Sequence, residues 1–594
     1  MFTNVFDGLK NYFTFFQFVT QDASPLGPWH FTEMNYPFGE YIFFTDNTPG
    51  LAIPLRFIHQ NIMNIEAYLI GIHNYFFLFN LLVTPILFFL FIKPFAGRHT
   101  GMVLFFSIAI SWTNPQLLKL LYGVYNLSMT SFLLLALLLM RSIYYLWQNY
   151  SRKSLVKVCV QLFLLIFFSA FFHIYYIPIL ALAIGVFTLV IFCYEWISKK
   201  NPKPLALISI ALSTAMGGLG FYAIVQSFDK YADLRQATAS GFSWRVWNFT
   251  PEAIFTPQAY NSIYPIIRSC KDSSEISSES HGFLGNFVWF TLYLSFALFV
   301  FFLIKRKLTI KQVVTKVVKS EFFFALLTTM FISYAAASGL YVKFCIIPLG
   351  FDNIFSPFYF LHDKIDLITQ FRCLGRFSWM GFWILFILTL VLFFTTYQFL
   401  LKEKVWLART YAFILLFFMY WDTKDAMIYQ SKVHETNVFK AELLEDEFQG
   451  TRSIDFSQYQ AIFTIPAVHV GSENYNITID DQGIWTRYWM QLSIYTNLPL
   501  FNCKMSRTAL EQAQAQIDLL LNQKVPDLIL NKVNDKPVLV VYSKELEDNF
   551  DLGVLDYARP AIEQGSLIIK AFEMDTILEL NNIYYLSWDI KNKN

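Results

Sequence analysis

Ten apolar segments, each close to the length needed to cross a bilayer, fill the chain between residues 68 and 421. They lie near 68–93, 100–117, 127–148, 156–172, 176–197, 204–227, 284–304, 321–342, 377–400 and 405–421. A helix crossing about 30 Å of hydrocarbon needs roughly 20 apolar residues, so the expected fold is an α-helical polytopic membrane protein with about ten spans. The long run 156–197 is divided at His173-Ile-Tyr-Tyr-Ile-Pro178, where a polar ring and a proline mark a turn. The segment 100–117 is short and ends at Asn114-Pro115. Composition agrees: 55% hydrophobic and 15% charged residues is far more apolar than a soluble chain of 594 residues requires.

The basic residues fix an expected orientation. They gather in alternate connections: Lys93/Arg98, Arg152/Lys153/Lys157, Lys199/Lys200/Lys203, the run KRKLTIKQVVTKVVK at 305–319, and Lys402/Lys404. The positive-inside rule makes those five connections cytoplasmic. Residues 1–67, the turns 118–126 and 173–176, the loops 228–283 and 343–376, and the tail 422–594 then face outside. The division is a first extracytoplasmic segment (1–67), a transmembrane domain (68–421) and an extracytoplasmic soluble domain (422–594). Since the first segment carries Asp7, Asp22, Glu33, Glu40 and Asp46 and no apolar export signal precedes it, a further transmembrane helix upstream of Met1 is expected, the alternative being direct translocation of the segment led by the first span. The net charge of +2 gives no sign of a nucleic-acid partner.

Polar residues of interest cluster in the outer segments. DGLKNYF sets Asp7 three residues before Lys10, NYPFGEYIFFTDN holds Glu40 and Asp46, and FRCLGRF holds Arg372 and Arg376 four apart just before a span. Arginines at a membrane boundary commonly snorkel to headgroups, and a pair on one helix face also suits bidentate binding of phosphate. The spacing alone does not choose between them. His173 reads as an interfacial ring or as a catalytic group, and Asp7 with Lys10 as a solvated pair or a functional one. The acids match no metal-ligand spacing, and a divalent cation stays open. Asn126, Asn248 and Asn476 stand in glycosylation sequons.

From about 430 the pattern is that of a soluble α/β or α+β domain. Strands are expected at 459–466, 526–533 and 537–543, with a helix over 506–523 capped by Ser506. Trp485 and Trp489, four apart, read as core or as a sugar-stacking platform. Six cysteines (159, 193, 270, 345, 373 and 503) show no CxxC or zinc spacing, and an outer disulfide among Cys270, Cys345, Cys373 and Cys503 is left open.

The order of parts resembles the GT-C superfamily of multispanning glycosyltransferases, and within it the bacterial YfhO-like branch. The likeness covers residues 1–421: an early acid in DGLKNYF, a second acidic stretch, the outer turn NPQLLKLLYGVYNLS, the turn FHIYY and the closing FRCLGRF. Two features depart from the pattern: the short turn reads YGVYN where related proteins often carry Gly-His, and the first span is absent. The resemblance implies a donor that is a polyprenyl-phosphate sugar, an acceptor that is a glycan, lipid or protein, and a bacterial inner membrane as the location. It implies Asp7 as general base, Glu40 or Asp46 as a second acid orienting the acceptor or a metal, and Lys10, His173, Arg372 and Arg376 about the lipid phosphate. A carboxylate partly desolvated near headgroups would gain basicity, and cations facing the phosphate would stabilise charge on the leaving group. A transporter would instead carry ionisable residues near the midplane and repeat symmetry; a noncatalytic or lipid-binding scaffold would keep the fold alone.

Overall fold

The computed structural model describes residues 1–594 except 5, 23, 200–201, 236–246, 258–261, 263–278, 280, 306–319, 345–349, 366–367, 369, 433, 473–474, 478–482, 506, 523, 550–564 and 592–594. Ser506, Cys270, Cys345 and most of the basic run 305–319 lie outside the described residues. The class read from the sequence is the class found: a helical membrane bundle followed by a mixed α/β domain.

Residues 1–67 are more structured than a loop. Helix α1 (Phe6–Thr20) is 15 residues long, about 22 Å at 1.5 Å per residue, and so too short to span. Leu9, Tyr12, Phe13, Phe15, Phe16, Phe18 and Val19 are all buried, and so are the polar Lys10, Asn11, Thr14 and Gln17 among them, so protein covers this helix on nearly every side. A two-residue hairpin pairs β1 (His30–Phe31) with β2 (Glu40–Tyr41), and α2 (Pro49–Asn61) follows, packed on α1.

Each expected span is a helix: α3 (Leu69–Ala96), α4 (Thr100–Thr113), α5 (Thr130–Gln148), α6 (Arg152–Ala170), α7 (Tyr176–Tyr194), α8 (Pro204–Phe228), α9 (Asn286–Ile304), α10 (Glu321–Ala337), α11 (Ser378–Glu403) and α12 (Val405–Ser431). Among the described residues eight helices, some extended by adjoining turns, are long and apolar enough to cross a membrane. The other two are α10, at 17 residues, and α12, which carries Arg409, Asp422, Lys424 and Asp425. Helix α11 is the hub, with Trp379, Trp383, Phe386 and Phe393 all enclosed. Two polar contacts inside the bundle show how backbone groups are satisfied where helices break or begin, as a bilayer demands. Pro94 leaves the Leu90 carbonyl without its helical donor, and Arg141 Nη1 donates to that carbonyl at 2.8 Å. Asp422 on α12 caps α9 from outside, accepting from Phe287 N at 3.1 Å and from Asn286 Nδ2 at 2.5 Å.

The tail builds a four-stranded sheet in the order β10 (Asp575–Leu580), β11 (Ile583–Trp588), β9 (Val538–Ser543), β5 (Ile462–Ile465), parallel only between β5 and β9. Asn581 and Asn582, at φ 50 and 63, form the two-residue turn joining β10 to β11, since left-handed residues match the twist of the hairpin. A three-stranded sheet of β6 (His469–Val470), β7 (Asn476–Ile477) and β8 (Cys503–Lys504) lies alongside, with helices α13 (Ala441–Phe448), α14 (Ile484–Thr496) and α15 (Leu510–Asn522). The strand expected at 526–533 is instead a single helical turn, Asp527–Leu530, because Pro526 followed by an acid is a helix start. Trp485 and Trp489 are core: both are buried, and Trp485 Nε1 donates to the Pro466 carbonyl at 2.9 Å. Cys373 and Cys503 are free thiols. Asn126 and Asn248 are buried.

The tail is fastened to the first segment by backbone. Asn35 N donates to Asn502 O at 3.1 Å, Tyr36 N to Leu500 O at 2.9 Å, and Leu500 N to Glu33 O at 3.1 Å.

Candidate functional site

Three short connections meet at the end of the bundle opposite the Lys93, Arg152 and Lys402 connections: the first turn of α1, the turn after α4, and the turn between α6 and α7. Two glycines set the first contact. A Cβ on Gly123, at φ +75, would stand 2.2 Å from Gly8 N, and one on Gly8 would stand 3.0 Å from Gly123 Cα. Backbone thus rests on backbone, and Asn11 Nδ2 ties the pair by donating to Gly123 O at 2.6 Å.

That docking aims Asp7 and Lys10 at the same face. Lys10 Nζ is 2.8 Å from Asp46 Oδ2 and 3.9 Å from Asp7 Oδ1, with side-chain exposures of 7% for Lys10, 40% for Asp46 and 58% for Asp7. Burial pulls the Lys10 amine down, but Asp46 and Asp7 outweigh it and hold it above its ordinary value. Burial likewise works to raise the Asp46 carboxyl, and Lys10, His173 and Arg376 override it, lowering it to about 2. Asp7 is more than half exposed, so the protein itself does not supply the desolvation expected for it from the sequence.

Beside this pair lies a buried triad that sequence reading named only in part. Arg376 grips Glu279 bidentately, Nε to Oε2 at 2.8 Å and Nη2 to Oε1 at 3.0 Å. Lys119 Nζ reaches the same Oε2 at 2.9 Å. Two cations thus converge on one carboxylate oxygen in a pocket where Lys119 is 2%, and Arg376 and Glu279 each 8%, exposed. Aromatic faces complete it: the Tyr175 ring lies 4.4 Å from the Arg376 guanidinium carbon, and Lys119 Nζ stands 5.9 Å from Trp379. Tyr175 Oη accepts from Cys373 N at 2.8 Å, which fixes the FRCLGRF turn to FHIYY. Burial alone would raise the Glu279 carboxyl, yet Arg376 and Lys119 hold it well below the usual carboxylate range.

His173 links the two groups. Its Nδ1 accepts from Tyr175 N at 3.2 Å, leaving Nε2 to carry the proton. Burial, aided by Arg376, lowers it to about 3, so it is neutral at physiological pH. A neutral ring there is not the cation a phosphate clamp would use.

The structure therefore brings together Asp7, Lys10, Asp46, His173 and Arg376, and places Arg372 within electrostatic reach of Tyr175. Glu40 stands apart. Its side chain is fully buried, both carboxylate oxygens are held by Arg235, and Oε1 also accepts from Tyr41 N at 2.7 Å. Arg235 in turn binds Asp229 Oδ2 at 2.8 Å and the Arg507 carbonyl. Glu40 thus anchors a strut joining the first segment, the loop after α8 and the tail. Lys119 and Glu279 are the residues sequence reasoning missed; a lysine inside the NP turn, on the outer side against the basic alternation, was the available signal. Among the described residues no three His, Cys, Asp or Glu side chains gather as for a metal ion. The site acids are moreover charge-paired, so these residues do not suit a divalent cation.

Fold and site together define a polytopic membrane protein with a buried, charge-paired polar cluster at one end of its bundle. The chain belongs to the family described as "Domain of unknown function (DUF6311)", whose model matches residues 2–423. The match does not name the YfhO-like branch. No curated protein matches. Among solved structures, the chain is similar to one titled as the crystal structure of the Archaeoglobus fulgidus oligosaccharyltransferase complex with Zn and sulfate, at 11% identity and a TM-score of 0.35. The match covers 91% of this chain and 64% of that one, under two thirds of its length.

Proposed function

We propose that the protein is an integral-membrane glycosyltransferase of GT-C type, moving a sugar from a polyprenyl-phosphate donor to an acceptor on the outer face of a bacterial inner membrane. One observation carries the reading. Acids and bases from connections spread over some 370 residues of sequence, Asp7 to Arg376, converge in one ion-paired cluster at the bundle end expected from the positive-inside rule to face outside. Nucleotide sugars are cytoplasmic, so a transferase working there uses a lipid-carried donor.

In the reaction the acceptor's nucleophilic atom attacks the anomeric carbon and its proton passes to Asp7. The bond from that carbon to the phosphate oxygen breaks, and the lipid phosphate leaves with the electron pair. Asp7 is the acid with the exposure needed to meet an acceptor, and a bound lipid headgroup and sugar would supply its desolvation. Arg376 and Lys119, with Arg372 nearby, stabilise charge on the leaving phosphate, where fixed cations in a water-poor pocket act most strongly. Lys10 and Asp46 orient one another and the first turn of α1. Glu40 has no chemical part.

The test is incorporation of labelled sugar from a polyprenyl-phosphate donor by the purified full-length protein in liposomes. Asp7→Asn is expected to abolish incorporation at unchanged thermal stability, and undiminished incorporation would remove the base assignment. Arg372→Ala is expected to lower it while Lys343→Ala, a charge change on β3 (Tyr341–Lys343), does not; equal losses would mean general surface charge.

A further inference from the structure

We propose that Glu279 is an exchangeable occupant of an anion pocket built by Arg376 and Lys119, and that the phosphodiester of the lipid-linked donor takes its place. The inference rests on the transferase reading and says how the site is held before substrate arrives.

The geometry is that of a ligand and its receptor. The Arg376 fork receives two oxygens of one planar carboxylate, at 2.8 and 3.0 Å, which is the arrangement guanidinium groups use for carboxylate and phosphate alike. Lys119 adds a third donor on Oε2 at 2.9 Å. A phosphodiester offers two unesterified oxygens and one negative charge, so it matches the carboxylate in charge and in donor demand.

Each partner is held from behind, so the pocket survives the exchange. Arg376 lies in the Leu374–Phe377 turn that runs into α11, is backed by the Tyr175 ring, and has its turn fastened through Cys373 N to Tyr175 Oη. Lys119 is borne on the helical turn Leu118–Leu121, wedged against Trp379 and Tyr122. Glu279 belongs to no helix or strand and stands seven residues before α9 begins at Asn286. The cations are on the frame and the carboxylate is on a connection, which decides which of them gives way.

Charge gives the reason for a resident anion. Two cations enclosed among aromatic rings, with no counter-charge, would be costly in the free protein. Glu279 supplies that counter-charge until a donor phosphate does so. A lipid phosphodiester and free phosphate share this chemistry, and the assay separates them.

Binding of geranyl methyl phosphate, a singly charged phosphodiester, is measured by calorimetry on the full-length protein in nanodiscs, with inorganic phosphate and geraniol as separate arms. Glu279→Gln is expected to raise affinity for the phosphodiester at least tenfold, and Arg376→Gln and Lys119→Met each to lower it at least tenfold. Geraniol should show no dependence on Glu279. A gain for inorganic phosphate equal to that for the diester would mean a free-phosphate site and overturn the lipid assignment. Should Glu279→Gln fail to fold, Glu279→Asp, which keeps the charge but shortens the reach, is expected to raise affinity about threefold. An unchanged or weaker affinity in the folded variant overturns the proposal, because a purely structural Glu279 would lower stability and leave the ligand nothing to gain. The two readings fail separately: anion binding that follows Glu279 with activity surviving Asp7→Asn would keep the pocket and lose the base.

Discussion

Removing Arg235 tests whether Glu40 is structural. In the native protein Arg235 (8% side-chain exposure) neutralises Glu40 and Asp229, both at 0%. Arg235→Met keeps much of the side chain's bulk but leaves two buried carboxylates without their cation. Deleting one partner of a buried pair costs about 3–5 kcal/mol, and at about 1.4 kcal/mol per decade that is roughly a hundred- to a few-thousandfold in a local opening constant. The strut joins residues 36–45 to the loop after α8 and, through the Arg507 carbonyl, to the tail. Hydrogen exchange of peptides covering 36–45 and 500–512 is therefore the assay, and protection is expected to fall by that factor while α11 keeps its own. Burial already raises the Glu40 carboxyl above its usual range beside Arg235, and loss of the guanidinium raises it further. The folded variant then holds a proton above the ordinary carboxylate range, where the unfolded chain does not, so protection recovers on acidification and is lost as pH rises through the raised folded-state value. The double variant Glu40→Gln, Arg235→Met is expected to regain most of the loss. Unchanged exchange in Arg235→Met, or loss of sugar transfer with protection intact, would refute the structural assignment.

Three further outcomes follow from other parts of the molecule. Gly123→Ala places a Cβ 2.2 Å from Gly8 N at φ +75 and is expected to cost about 2–4 kcal/mol in unfolding measurements and to reduce transfer. Gly27→Ala, at φ +111 but with no atom within 4 Å, is expected to leave transfer unchanged. The Asp46 carboxyl, lowered from 3.8 to about 2, contributes stability that is full above about pH 4 and lost as pH falls through 2. Wild type and Asp46→Asn should thus differ by a constant amount between pH 5 and 8, about 1 kcal/mol after discounting for its exposure, and a gap that widens with pH would contradict this. Trp485→Ala should cost about 3–5 kcal/mol in thermal unfolding without altering binding of free oligosaccharide, since its ring is 2% exposed.

The spans were legible because a bilayer imposes one length and one composition on every segment that crosses it. Pro178 and Asn114-Pro115 marked real breaks, and α7 and the turn after α4 begin there. Helix α1 was harder to see because a helix buried in protein and an aromatic interfacial loop have similar composition. Of the acids, Asp7 and Asp46 could not be told from Glu40 by type or position. Only the fold supplies the arginine, 195 residues away, that holds Glu40. Glu279 was invisible for the complementary reason: its partners, Lys119 and Arg376, are 160 residues before it and 97 after it. Pairings at that separation leave no periodic trace in a single chain.

The charge balance of the pocket bears on how any anion enters it. Asp7, Asp46 and Glu279 face Lys10, Lys119 and Arg376, and His173 is neutral. These six ion-paired groups balance as they stand, so, the nearby Arg372 apart, a phosphodiester among them would add one negative charge unless something compensates. One way is exchange, in which Glu279 leaves for water as a carboxylate and no proton is bound. The other is protonation of a site acid, of His173 or of His281, two residues after Glu279, in which affinity would fall tenfold per unit as pH rises from the free-state pKa to the higher bound-state one. Glu279 and Asp46 are both held low and the two histidines are lowered to about 3 and 4 by burial, so each of these four is a weak proton acceptor. Exchange is therefore the route these groups favour. Affinity for geranyl methyl phosphate, whose own charge does not change between pH 5.5 and 8, is expected to stay constant over that range. A slope of one decade per pH unit would show that a proton, and not the departure of Glu279, restores neutrality.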